Sequence, residues 1–108
     1  MDPAGELSGT VPVEEPNPWA ISIEEQTGSR NKRQWHLTAL RRYPDRATAR
    51  GAAARIARTH LPENPAGPTE RMVLCSGPDD YLVALKGPVG EVFHVRVHVW
   101  EVVGLYDR

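Results

Sequence analysis

A single cysteine, Cys75, leaves no partner for an internal disulfide, so the fold does not depend on an oxidising compartment. No apolar run approaches the ~18 residues needed to span a membrane. The N-terminal stretch lacks the basic-then-apolar order of a secretion signal. The first 25 residues contain no lysine or arginine. A phosphate-cradling glycine loop, a serine nucleophile elbow and a zinc-spaced Cys/His cluster are all missing, as are internal repeats. Arginine far outnumbers lysine and alanine is abundant, a coding bias expected of a GC-rich bacterial genome. These absences predict a bacterial cytoplasmic protein that is not an enzyme, with no cofactor and no metal.

At 108 residues the chain is expected to form one domain with a modest core. The formal net charge of −1 conceals an asymmetry. Six acids and no base precede residue 26, whereas residues 26–60 carry nine bases against Asp45 alone. Residues 1–18 combine four prolines with acids and few apolar side chains, so ordering them would not repay the entropy lost. They are read as a flexible acidic tail, and 19–108 as the folded domain.

The pattern from Glu91 to Val103, EVFHVRVHVWEVV, dominates that domain. Phe93, Val95, Val97 and Val99 project one way, while His94, Arg96, His98 and Trp100 project the other, as in a strand with one buried face. At ~3.3 Å per residue this stretch would reach about 43 Å, so a bend or overhang is expected. Upstream, Trp19 to Glu25 and Gln34 to Tyr43 also alternate, Trp35, Leu37 and Ala39 against His36, Thr38, Leu40 and Arg42 in the latter. The polar segment between them closes a hairpin with a basic tip. Pro44 ends the second strand, and Asp45 caps a helix expected to run to His60 with Ala49, Ala52, Ala53, Ile56 and His60 on one side. Strands are expected at Arg71 to Cys75 and at Tyr81 to Lys86. Gly87-Pro88-Val89-Gly90 fits a type I turn into the last strand. The predicted fold is α+β, ββαβββ: a five-stranded, mainly antiparallel sheet with one amphipathic helix packed on one face.

One helix of about sixteen residues shields roughly 240 Å² of sheet, against about 480 Å² on each face of five strands. Yet Met72 and Leu74 oppose Val73 and Cys75, and Leu82 and Ala84 oppose Tyr81, Val83 and Leu85, so apolar residues fall on both faces. Strands of that kind expect cover on both sides. A homodimer or another protein partner is therefore expected, docked through Leu40, Val92, His94, Arg96, His98, Trp100 and Val102. A second reading takes the basic middle as a nucleic-acid surface. Arg30, Lys32, Arg33, Arg42, Arg46, Arg50, Arg55 and Arg58 would then neutralise phosphates, joined by Arg96 and Trp100 if the strand face reads bases. The helix arginines have no carboxylate one turn away other than the N-cap neighbour.

Other chemistry fits poorly. His94 and His98, four apart on a strand, are ~13 Å from one another, too far to share one zinc. Cys75 reads as a small buried hydrophobe, and Asp79-Asp80 as turn residues.

Overall fold

Residues 16–107 are described by the structure, a computed structural model. The order of elements is β1 (Trp19–Thr27), β2 (Gln34–Tyr43), α1 (Arg46–Thr59), β3 (Glu70–Gly77), β4 (Asp80–Lys86) and β5 (Val92–Glu101). This is the expected ββαβββ α+β arrangement. The five strands form one open sheet in the order β2-β1-β5-β4-β3, with every neighbouring pair antiparallel. The acidic-tail reading falls largely on residues 1–15, outside the described residues. Its last part is tied to the sheet, because Pro18 O accepts the Val102 N–H and Asn17 O accepts from Arg42 Nε.

Local chemistry sets the helix ends. Asp45 sits in extended backbone and its carboxylate accepts the Thr48 N–H at 2.7 Å, supplying one of the acceptors that a helix N-terminus lacks. At the other end, Arg71 of β3 donates to Ala57 O at 3.0 Å and His60 O at 2.6 Å, satisfying carbonyls that have no partner within the helix. Burial pulls the Arg71 guanidinium below its ordinary pKa. Between the caps, Ala49, Ala52, Ala53, Ile56 and Ala57 are buried against Ile21, Ile23, Val83, Leu85, Val95, Val97 and Val99. The small alanines let the helix lie close to the sheet, and that interface is the core.

Three details differ from expectation. First, β2 carries an irregularity opposite the Ile23–Glu24 step: Ile23 pairs with Ala39 but Glu24 with Leu37, so Thr38 is the extra residue. One inserted residue reverses the side of everything beyond it. Ala39 therefore faces the helix with Ile23, while Leu37 and Trp35 join Leu40 and Arg42 on the opposite side. Second, β5 ends at Glu101, shorter than predicted: the Val102 N–H still donates to Pro18 O in register with β1, but proline has no N–H to return the bond. Third, Cys75 is exposed, because β3 is an edge strand and the short helix leaves it largely uncovered.

Candidate functional site

The sheet has one face covered by α1 and one without a helix. Strand pairing fixes who shares the open face, since antiparallel partners project to the same side. Around β5 the successive rows read Leu40, Ser22, His98 and Asp80; then Leu37, Glu24, Arg96, Leu82 and Leu74; then Trp35, Gln26, His94, Ala84 and Met72. Ala20, Trp100 and Arg42 lie at one end of this grid and Val92 with Lys86 at the other. Apolar side chains flank both margins, with Leu37, Leu40, Trp35, Met72 and Leu74 all exposed. Down the middle runs the polar row of β5.

Each member of that row already has a partner from another strand. Trp100 donates its indole N–H to Ser22 Oγ at 2.7 Å, and its ring lies 4.0 Å from the His98 ring, centre to centre. His98 Nδ1 is 3.1 Å from Asp80 Oδ1, and Ser76 Oγ donates to Asp80 Oδ2. Burial pushes the Asp80 carboxyl up, but the bonds from His98 and Ser76, with the charges of His98 and Arg96, outweigh it and hold the group below its ordinary value. Arg96 lies over the Trp35 ring at 5.6 Å. Gln26 Oε1 accepts the His94 backbone N–H at 3.0 Å and lies 3.0 Å from Nδ1. Two shallow hollows flank β5: one of about 360 Å³ among Ser22, Glu24, Leu37, Leu40 and Trp100, the other of about 270 Å³ that includes Leu74, Leu82 and Arg96.

The structure thus gathers Leu40, Val92, His94, Arg96, His98 and Trp100 on one face. Val102 follows the end of β5 and is half-buried, so it stands at the margin. Sequence reading missed Trp35 and Leu37 as members of this surface, because the Thr38 irregularity leaves no mark in the alternation.

The cations fall into separate groups. Arg46 and Arg50, in the first turns of α1, both bond Asp79 in the β3–β4 turn, at 2.9 and 2.8 Å. Arg50 and Arg46 together hold the Asp79 carboxyl down at about 2, despite the opposing effect of burial. A carboxylate from a remote turn thus supplies the partner absent from the helix itself. Arg46 also lies over the Trp19 ring. Arg42 belongs to the open face and reaches Asn17 O. Arg55 and Arg58 are exposed on the outer side of α1 and pair with no carboxylate among the described residues. Arg30, Lys32 and Arg33 sit at the β1–β2 tip, at the far end of the sheet from Asp79. There Arg33 is stacked over Phe93 at 3.5 Å.

Beneath the C-terminus of α1, Glu25 is buried and its Oε2 lies 2.6 Å from His60 Nε2. This pair ties β1 to the helix end. Among the described residues no helix is long and apolar enough to cross a membrane, and no group of His, Cys, Asp and Glu is disposed to hold a metal ion. Comparison of the chain with protein-family models, with curated proteins and with solved structures gives no match.

Proposed function

We propose that this protein is a non-catalytic interaction module of the bacterial cytoplasm whose open sheet face docks a second copy of the same chain. The observation that carries the reading is the set of large apolar side chains left exposed on the face that α1 does not cover, headed by Leu40 (61% exposed), Leu37 (60%) and Trp100 (51%). Large apolar side chains left exposed in this number, here along both margins of the polar row, are characteristic of interaction sites. Five strands at ~4.8 Å spacing and roughly 26 Å in length span about 600 Å² in projection. That is the scale of the ~800 Å² each partner buries in a standard interface.

Two further features favour a second copy as the occupant. The face carries both projecting leucines and hollows beside them, so one surface supplies knob and recess, as a two-fold interface requires. Three members of its polar row, His94, His98 and Trp100, are already hydrogen-bonded within the subunit, which lowers the cost of taking those groups out of water, and Arg96 lies over the Trp35 ring. Arg96 stands at the centre of the face and Trp100 at one end of the central strand, residue types enriched at such contacts.

Sedimentation velocity over a micromolar-to-millimolar range tests the reading, comparing the parent with Leu37→Glu/Leu40→Glu. Both positions are exposed, so the variant keeps its circular dichroism and thermal midpoint. A concentration-dependent dimer that the variant loses is the expected result. A parent that stays monomeric throughout overturns it. If that monomer binds labelled DNA or RNA with an affinity falling steeply as salt rises, the nucleic-acid reading through Arg30, Lys32, Arg55 and Arg58 replaces it.

A further inference from the structure

The end of the sheet opposite Asp79 holds a pocket that docking through the open face leaves unused. Three segments far apart in sequence converge there: the β1–β2 tip, the loop at Asn64–Ala66 and the β4–β5 turn, around a cavity of about 670 Å³. That volume lies in the range of sites for small organic molecules, about 300–1,000 Å³.

Its charged groups are unequally committed. Glu91 is folded back on its own turn: Oε1 accepts the Val89 N–H at 3.1 Å, and its carboxyl occupies the space where a Cβ at Gly87 would stand. Arg33 is held rigid by Phe93 beneath it and by two carbonyls, donating to Gly28 O at 2.7 Å and Val92 O at 2.9 Å. A guanidinium offers five N–H donors, so Arg33 retains donors after both bonds, in an orientation fixed by folding. Arg30 lines the same cavity and pairs with no carboxylate among the described residues. The local excess is therefore cationic, with one guanidinium preorganised and one free to close. The rest of the wall is mixed: Pro65, Val89 and Phe93 supply an apolar strip beside the polar Ser29 and Asn64.

We propose that this pocket binds a small organic oxyanion, a carboxylate or phosphate carried on a flat apolar group. Arg30 and Arg33 take the charge, in the fork geometry that suits both oxyanions. The flat group lies along Val89, Pro65 and the Arg33–Phe93 stack. A polyanion fits this end less well, since Arg46 and Arg50 are engaged by Asp79 at the opposite end of the sheet.

The test is a titration of the ¹⁵N-labelled full chain with phenyl phosphate, benzoate, inorganic phosphate and benzyl alcohol, read as amide shifts. Saturable shifts at Gly28, Arg30, Ala66 and Gly90 with phenyl phosphate or benzoate are expected, and whichever binds tighter names the oxyanion. Inorganic phosphate and benzyl alcohol should each bind at least about tenfold more weakly. Arg30→Gln, an exposed substitution, should weaken the better ligand about tenfold while leaving the thermal midpoint unchanged. Absence of saturable shifts, equal binding of benzyl alcohol, or indifference to Arg30→Gln overturns the proposal. So does tighter binding of an oligonucleotide with shifts extending to Arg55 and Arg58. Leu37→Glu/Leu40→Glu should titrate like the parent, so failure of the dimer reading leaves this result standing.

Discussion

Arg50 and Asp79 are 29 positions apart in the chain, yet Arg50 Nε lies 2.8 Å from Asp79 Oδ1. With Arg46 on the other oxygen, the pair fastens the start of α1 to the β3–β4 turn. The helix is thus held at both ends by β3 and its turn, since Arg71 caps the other terminus.

Asp79→Asn should lower stability by on the order of 1 kcal/mol near neutral pH, the scale of a networked but partly exposed ion pair. Asp79 titrates at about 2 when folded, against an ordinary 3.8. Its folded value lies below its unfolded one, so the stabilisation is present above 3.8 and drains away as pH falls toward 2. Urea midpoints of parent and variant should therefore differ at neutral pH and converge near pH 2. A gap that persists in acid would locate the loss elsewhere.

Arg71→Met should cost about 1–2 kcal/mol, because two helix-terminal carbonyls lose their donor while most of the side-chain packing is kept. Hydrogen exchange of the last turn of α1 should quicken more than exchange in β5. Uniform quickening would mean that Arg71 acts on global stability alone.

Gly28 has φ +97, and a Cβ there would stand 2.2 Å from the Lys32 carbonyl oxygen. Gly28→Ala should destabilise by roughly 2 kcal/mol, since neither the backbone angle nor the facing backbone atom can give way cheaply. The thermal midpoint measures it. By contrast Gly87→Ala meets only the end of the flexible Glu91 side chain and should cost under about 1 kcal/mol.

Leu85→Ala and Leu74→Ala compare the two faces. Leu85 is 1% exposed beneath the helix and Leu74 is 45% exposed on the open face. The first should cost about 3 kcal/mol and the second, in the monomer, under about 1 kcal/mol. Denaturation at dilute and concentrated protein separates the cases further. Leu74→Ala should lose more at high concentration if the face is occupied there.

The elements were legible where chemistry is local. Pro44 followed by Asp45 marks the helix start, and the valine alternation of β5 marks both its faces. What stayed hidden is relational. Thr38 looks like any strand residue, and only pairing with β1 reveals it as the extra one that moves Trp35 and Leu37 beside Leu40. Cys75 looks buried among Met72, Val73 and Leu74 until the strand order puts β3 at an edge. Asp79 reads as a turn former, and nothing near it in sequence announces Arg46 and Arg50. The pocket is harder still to foresee, since it exists only where three turns meet.

The strand order also dictates a sequence of events. The β1–β2 and β3–β4 hairpins do not touch each other as strands; β5 alone joins them, pairing with β1 on one side and β4 on the other. A growing chain can thus form both hairpins and α1 before Val92 is made, but it cannot complete the sheet. Until β5 arrives, the inner edges of β1 and β4 remain open, with Ile21, Ile23, Val83 and Leu85 short of their central neighbour. Cooperative folding is then deferred until β5 has been made and depends on closing a long loop, which slows it and lengthens the period in which sticky edges are on view.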